Sequence, residues 1–176
     1  MILIINTSGA GIELVLDDKY MKIDAAKQAI ALPSVVMDFM TKNDVKMSDL
    51  TAIGVIVGPG SFTGIRMGIA YAKGLGIALN IPVVGVNVFE LYLYENPDAF
   101  VAIDSGRGDF FVASTKHEPG TMTIDEVETE QMKCPSTVGH KPYNLMFAKN
   151  IVENKIKNGD VEPVIPMYLR PSYAEK

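Results

Sequence analysis

The residues best placed to do chemistry lie in one stretch, Gly58-Pro59-Gly60-Ser61-Phe62-Thr63-Gly64-Ile65-Arg66-Met67-Gly68. A glycine-rich turn leading into a helix can hold an anion, because free backbone N–H groups and the helix dipole both favour negative charge there. A Walker A loop, however, needs Gly-x-x-x-x-Gly-Lys followed by Ser or Thr, and here Gly64 is followed by Ile65 and Arg66. The Gly-x-Gly-x-x-Gly dinucleotide fingerprint is absent too. Nor does the stretch form a nucleophile elbow, since the glycines around Ser61 each fall one residue late for Gly-x-Ser-x-Gly. A tight strand-to-helix turn built on structural glycines is the plainer reading.

The acids and nucleophiles are sparse. Actin-like phosphotransferases hold Mg²⁺ with acids at the ends of the first strand of each lobe. The first apolar run here ends in Asn6, which has no charge to offer, while Asp104 and Asp109 flank a later turn. Asp104 with Mg²⁺ is thus half of a phosphotransferase site, and capping its own turn beside Arg107 is the simpler role. Cys134 is the only cysteine, and His117 and His140 sit in polar, loop-like surroundings. No catalytic triad, protease constellation or zinc spacing emerges from these.

Positioning this turn requires a strand before it and a helix after it. Ala52 to Val57 is short, apolar and β-branched, as a buried strand should be, and the helix extends from the turn to about Leu79. Ahead of it, Ile2 to Asn6 and Ile12 to Leu16 read as strands, with Asp17-Asp18 as a hairpin turn and Tyr20 to Ile23 as an edge strand. Asp24 to Asn43 reads as a helix from the spacing of Ile30, Val36, Met37, Phe39 and Met40, which either starts or kinks at Pro33. Val83 to Val86 is a further buried strand and Val88 to Tyr94 a short helix. Strand–helix alternation from Ala52 onward calls for a parallel crossover.

Asn96-Pro97-Asp98 is the best boundary, giving domains 1–97 and 98–176. Beyond it, Phe100 to Asp104, the turn Ser105-Gly106-Arg107-Gly108, and Asp109 to Lys116 echo the opening strand, polar turn and strand. Met122 to Met132 reads as a strand pair, Pro142 to Lys157 as a helix, and Val161 to Tyr173 as an extended arm punctuated by prolines. The 176 residues suffice for one core or two small lobes. A net charge of −5 argues against a large basic surface for nucleic acid. The apolar start ends at Asn6 with no basic flank, and Lys73, Asn80 and Pro82 interrupt the later apolar stretch, so a cytoplasmic protein without a membrane span is expected.

The helix after the turn has an unusual composition. Gly64, Gly68, Gly74 and Gly76 each cost about 1 kcal/mol relative to alanine inside a helix. Gly60, Gly64, Gly68, Ala72 and Gly76 recur every fourth residue and so share one face. Such a stripe permits close backbone approach, either by this protein's own sheet or by a helix from a partner.

Taken together, Gly58 to Gly68 with Ala72-Lys73-Gly74-Leu75 closely resembles the signature of the bacterial TsaB family, also called YeaZ. Ile4-Ile5-Asn6-Thr7-Ser8, Ile81-Pro82-Val83-Val84-Gly85-Val86, Ala102-Ile103-Asp104-Ser105-Gly106-Arg107-Gly108-Asp109 and Pro166-Met167-Tyr168-Leu169-Arg170-Pro171 resemble its other segments and fall in family order. Two positions depart from the family pattern. Asn6 stands where Asp is usual, and Ala25-Ala26-Lys27-Gln28 stands where His-Ser or His-Thr is usual.

The resemblance implies an α/β, actin-like (RNase H-type) ATPase fold with two lobes, the second reduced, and no working ATPase site. It implies a non-catalytic partner of TsaD in forming N6-threonylcarbamoyladenosine next to the tRNA anticodon, with TsaE joining through that complex and tRNA contacted only indirectly. It implies no cofactor of the chain's own, beyond a nucleotide at the joint interface. The signature turn is then Gly58, Pro59, Gly60, Ser61, Thr63 and Arg66. The surface for TsaD, or for a second copy in a homodimer, is expected to be Pro33, Met37, Met40, Gly64, Met67, Gly68 and Tyr71. On that assignment, a Gly68→Leu substitution abolishes association while leaving the monomer folded.

Overall fold

The apolar run that opens the chain folds as β1 (Ile2–Asn6), buried along its whole length as a strand covered on both faces must be. In this computed structural model, residues 1–24, 28–134, 136–139 and 142–170 are described, the side chains of residues 28–30 excepted. β2 (Ile12–Leu16) returns antiparallel to β1, placing Glu13 opposite Asn6. β3 (Lys19–Ile23) turns back through Asp17-Asp18 and forms one edge of the sheet. β4 (Ala52–Gly58) and β5 (Val83–Asn87) add on the other side of β1, both parallel, to give the order β3-β2-β1-β4-β5.

Helices cover both faces of this sheet. Successive residues of a strand point to opposite faces. On β4, Val55 meets α2 (Phe62–Leu79) at Gly68, whereas Gly54 meets α5 (Phe147–Asn158) at Val152. The two helices therefore lie on opposite sides. α1 (Gln28–Lys42) touches α2 and buries Leu32, Val36, Phe39 and Met40. Pro33 lies inside α1 with helix on both sides of it, so the helix does not begin there, and its ring is exposed. Ala25, Ala26 and Lys27, expected at the start of that helix, lie outside the described residues, as does His140.

The remaining elements form a second sheet. α3 (Val88–Glu95) leads into β6 (Phe100–Asp104), β7 (Asp109–Ser114), β8 (His117–Thr123), α4 (Ile124–Lys133) and β9 (Thr137–Val138), with strand order β8-β7-β6-β9. The strand pair expected over Met122 to Met132 is instead the end of β8 followed by α4. Thr123 and Glu126 form a capping box, with Glu126 Oε2 accepting from the Thr123 backbone at 2.8 Å and the Thr123 hydroxyl accepting from the Glu126 amide. The Thr123 amide, and the Thr123 hydroxyl donating to the same oxygen at 2.8 Å, hold the Glu126 carboxyl below its usual range.

The chain divides into two compact units at places other than the expected 1–97 and 98–176. The first comprises Met1–Asn87 with Leu145–Pro166, and the second Val88–Asn144 with the chain from Met167 onward. Apolar side chains decide both shifts. Phe89 of α3 packs with Val101 and Ala113 of the second sheet, and Ala148, Ile151 and Val152 of α5 are buried in the first unit. The described residues after α5, up to Arg170, form no helix or strand, in keeping with an extended arm. Val164 is buried in the first unit, and Met167 and Leu169 pack on the Phe89 cluster in the second.

Candidate functional site

Two turns meet at the ends of β1 and β4. β4 delivers the chain to Gly58 and Pro59, both buried and joined by a cis peptide bond. Gly60 passes so close to the first turn that a Cβ there would stand 2.5 Å from the Ser8 carbonyl oxygen. The Ser61 amide donates to that same oxygen at 2.7 Å. Ser61 then caps α2, its hydroxyl accepting from the Gly64 amide at 3.3 Å. From the opposite side the Thr7 hydroxyl donates to the Gly64 carbonyl at 2.7 Å.

The first turn is itself built from polar side chains held away from water. Asn6, Thr7 and Ser8 are the buried polar residues among those described. The Asn6 side-chain oxygen accepts from the Ser8 amide at 3.0 Å and from the Ser8 hydroxyl at 2.7 Å. The Asn6 side-chain nitrogen donates to Glu13 Oε2 at 2.6 Å, and Glu13 Oε1 accepts from the Tyr20 hydroxyl at 2.7 Å. Buried polar groups are tolerated when each finds a partner, and no buried side-chain nitrogen or oxygen of the described residues lacks one. With its oxygen on Ser8 and its nitrogen on Glu13, Asn6 is arranged as a brace for the turn.

The small-residue stripe of α2 faces inward. Gly64, Gly68, Ala72 and Gly76 are buried. A Cβ at Gly68 would collide with the Thr7 hydroxyl, and one at Gly76 with the Val83 side chain. Close approach is what these glycines provide, and the approaching element is the protein's own sheet. Gly64 and Gly68 are therefore removed from the expected partner surface, because the Thr7 turn already occupies that face. Met40 is removed for a similar reason, being only 1% exposed in the core beneath α1.

What remains outward is a smaller, mostly apolar set. Pro33 is exposed and Met37 is 52% exposed on α1, and Met67 and Tyr71 are half-buried on α2. Burial raises the Tyr71 phenol above its ordinary pKa, so it stays neutral and presents a hydroxyl. Arg66 is exposed with its guanidinium 3.9 Å from the centre of the Phe62 ring, and Thr63 is exposed beside it. Phe62 and Ile77 extend the outward face of α2 at 46% and 82% exposure.

The second unit has its own version of the turn. Asp104 is exposed, and its Oδ1 accepts from the Gly106 amide at 2.7 Å. It caps the turn through that amide, while the Arg107 amide goes to the Ser105 hydroxyl at 3.2 Å. The Ser105 hydroxyl also donates to Asp109 and accepts from Arg170 at 2.6 Å, and Arg170 pairs with Asp109. Among the described residues, no group of three or more His, Cys, Asp or Glu side chains is placed to hold a metal ion. No helix among them is long and apolar enough to cross a membrane.

Sequence reasoning did not single out Thr7, Ser8 or Glu13. The signal available for the first two was a polar pair directly after a fully apolar strand. Glu13 becomes visible only once the β1–β2 register sets it opposite Asn6.

Comparison with known proteins places this geometry. Residues 23–172 match the family model described as TsaD, tRNA N6-adenosine threonylcarbamoyltransferase. The chain is 40% identical over 117 residues to the Escherichia coli protein named tRNA threonylcarbamoyladenosine biosynthesis protein TsaB, covering 63% of this chain and 50% of that one. The chain belongs to the TsaD-like family, within its TsaB (YeaZ) group. A tRNA N6-adenosine threonylcarbamoyltransferase of Clostridioides difficile is 35% identical over 151 residues, 79% of this chain and 44% of that protein. The chain thus spans about half the length of these two curated relatives.

Among solved structures, YeaZ from Pseudomonas aeruginosa superposes with a TM-score of 0.71 at 17% identity, covering 95% of this chain and 99% of that one. This is the TsaB fold, an actin-like, RNase H-type α/β architecture, as the signature implied. In this TsaB-group chain, Asn6 occupies the end of β1 with Glu13 opposite it on β2.

Proposed function

We propose that this chain acts in tRNA threonylcarbamoyladenosine biosynthesis as the non-catalytic partner of a TsaD-type transferase. TsaD would form N6-threonylcarbamoyladenosine beside the anticodon, and this chain would hold TsaD in its working state. Homology to TsaB supports the pathway. The observation that supports the scaffold role is the exposure of Pro33 and Met37 on α1, with Met67 and Tyr71 half-buried on the neighbouring α2. Exposed methionine suits a protein interface, since its flexible thioether adapts to the opposing surface. The polar residues of the neighbouring turn are instead spent on internal bonds. TsaE joins through the TsaB–TsaD complex, tRNA is reached through TsaD, and a homodimer through the same helices competes with TsaD.

Met37→Asp tests this reading without disturbing the core, because the side chain is already half in water. Placing an unpaired charge at the centre of an apolar contact is expected to weaken binding to the cognate TsaD at least tenfold, roughly the effect of losing one interface hot spot. The measurement is calorimetric titration of TsaD into the folded variant, with circular dichroism unchanged. Unaltered affinity removes α1 from the interface, and no binding by the wild-type chain overturns the scaffold reading.

A further inference from the structure

The three buried polar residues described in the first unit are consecutive, and they stand where α2 begins. Burying an asparagine, a threonine and a serine together costs free energy unless their bonds are complete, so a fold that does it at one place has reason to fix that place. The bonds run in a chain. Tyr20 donates to Glu13 at 2.7 Å, Lys22 stands 3.9 Å from the same carboxylate, and Glu13 receives the Asn6 side-chain nitrogen at 2.6 Å. The Asn6 oxygen takes the Ser8 amide and hydroxyl, and the Ser8 carbonyl takes the Ser61 amide at 2.7 Å. Edge strand β3 is thereby linked to the first turn of α2, across β2 and β1.

Orientation within this chain is fixed by chemistry. An ionised carboxylate only accepts, so the group facing Glu13 must donate. The Ser8 amide only donates, so the group facing it must accept. One side chain must therefore offer a donor at one end and an acceptor at the other, and an asparagine amide does so in a single orientation. The Ser8 amide already requires that orientation, and Glu13 holds the donor end it presents.

We infer that Glu13 is a positioning residue for the signature turn: through Asn6 it locks the Thr7-Ser8 turn on which Ser61 and Gly64 seat the N-terminus of α2. The inference rests on the proposed function only in assigning α2 to the partner surface. The lock itself is a property of the isolated chain. Glu13 lies outside the expected interface, so it acts on that surface from the far side of the turn.

Hydrogen exchange on the isolated chain tests the lock. In Glu13→Ala, Asn6 loses its bond to the Glu13 carboxylate, and the amides of Ser8, Ser61 and Gly64 are expected to exchange about tenfold faster or more, as loss of a bond to a charged group implies. Amides of Val84 and Val86 in β5 are expected to keep their wild-type protection. The exchanged pair Asn6→Asp with Glu13→Gln restores a donor facing an acceptor, and should return the turn to within about threefold of wild type, additivity failing as it does for coupled neighbours. Unchanged exchange in Glu13→Ala overturns the inference, as does equal acceleration throughout the sheet, which would make Glu13 a general stabiliser. Failure of the exchanged pair to protect the turn overturns the matching of donor to acceptor. Binding of TsaD by the wild-type chain is measured separately. Its absence refutes the proposed function and leaves the exchange result standing.

Discussion

β1 ends in Asn6, which is buried, and β6 ends in Asp104, which is exposed; each caps the turn after it by accepting the amide two residues on. What differs is the company each side chain keeps. Asn6 faces Glu13 across the strands, whereas Asp104 faces Phe110. The turn after Asn6 is roofed by the start of α2. The turn after Asp104 leads through Gly106 and Gly108, both exposed with positive φ, where a Cβ would meet nothing within 4 Å. The second turn accordingly keeps its charges, with Arg170 answering Asp109. The first carries a neutral side chain at the strand end, where Asn6 is 1% exposed and donates to a carboxylate already beside it. One backbone device is thus compatible with opposite electrostatics, and the surroundings choose.

The largest expected effect comes from filling the space between the first turn and α2. A leucine at Gly68 would drive its side chain into Thr7 and Val55 in a region with no slack. Overpacking of this kind typically costs about 1–3 kcal/mol, and here the displaced group is also a buried hydroxyl bonded to the Gly64 carbonyl. Gly68→Leu is therefore expected to lose roughly 3 kcal/mol or more and to yield little folded monomer, as chemical denaturation would report. That reverses the outcome expected from the sequence, where the same substitution spared the monomer. Gly106, in the turn after Asp104, has no such neighbour to strike.

Next in size is Asn6→Asp. The substitution replaces a donor with an acceptor 2.6 Å from Glu13 and sets two carboxylates together in a partly buried place. Leaving such a group unmatched costs about 2–4 kcal/mol. Urea denaturation at neutral pH should show the loss as a lower midpoint. A midpoint equal to wild type at neutral pH would show that the strand end tolerates a charge after all, and the contrast with Asp104 would collapse.

Positions 6 and 68 also mark how far residue order alone specifies this molecule. The first sheet is legible because Ile2 to Asn6 and Ala52 to Val57 are apolar runs bounded by turn residues, and burial of such runs does not depend on distant partners. The stripe of glycines on α2 is legible as a groove, but its occupant is not. Spacing gives a face, and only the crossover from β4 shows that the face meets Thr7 and Val55. The same limit applies to Met40, whose spacing fits either side of α1. Met122 to Met132 misleads although Thr123 and Glu126 hold the capping-box spacing, because the adjoining Thr, Ile and Val favour strand locally. The division into units fails for α5, since its apolar residues name no sheet. Glu13 stays hidden until register places it, as cross-strand pairs always do.

The smallest effect expected is the most direct test of the contrast. Asp104→Asn is the reverse of Asn6→Asp, made at the corresponding corner. Its Oδ1 keeps the Gly106 amide, the neighbour across the strands is an aromatic ring, and the side chain is exposed to water that accommodates either group. Surface substitutions of this sort usually stay within about 0.5 kcal/mol. Denaturation midpoints for Asp104→Asn and wild type should therefore coincide within that margin. If Asp104→Asn instead costs as much as Asn6→Asp, the charge at the second corner has a duty that its bond to Gly106 does not explain. A near-zero result, beside a large one at position 6, ties the neutrality of the first corner to Glu13 and the α2 roof, since the capping geometry is common to both.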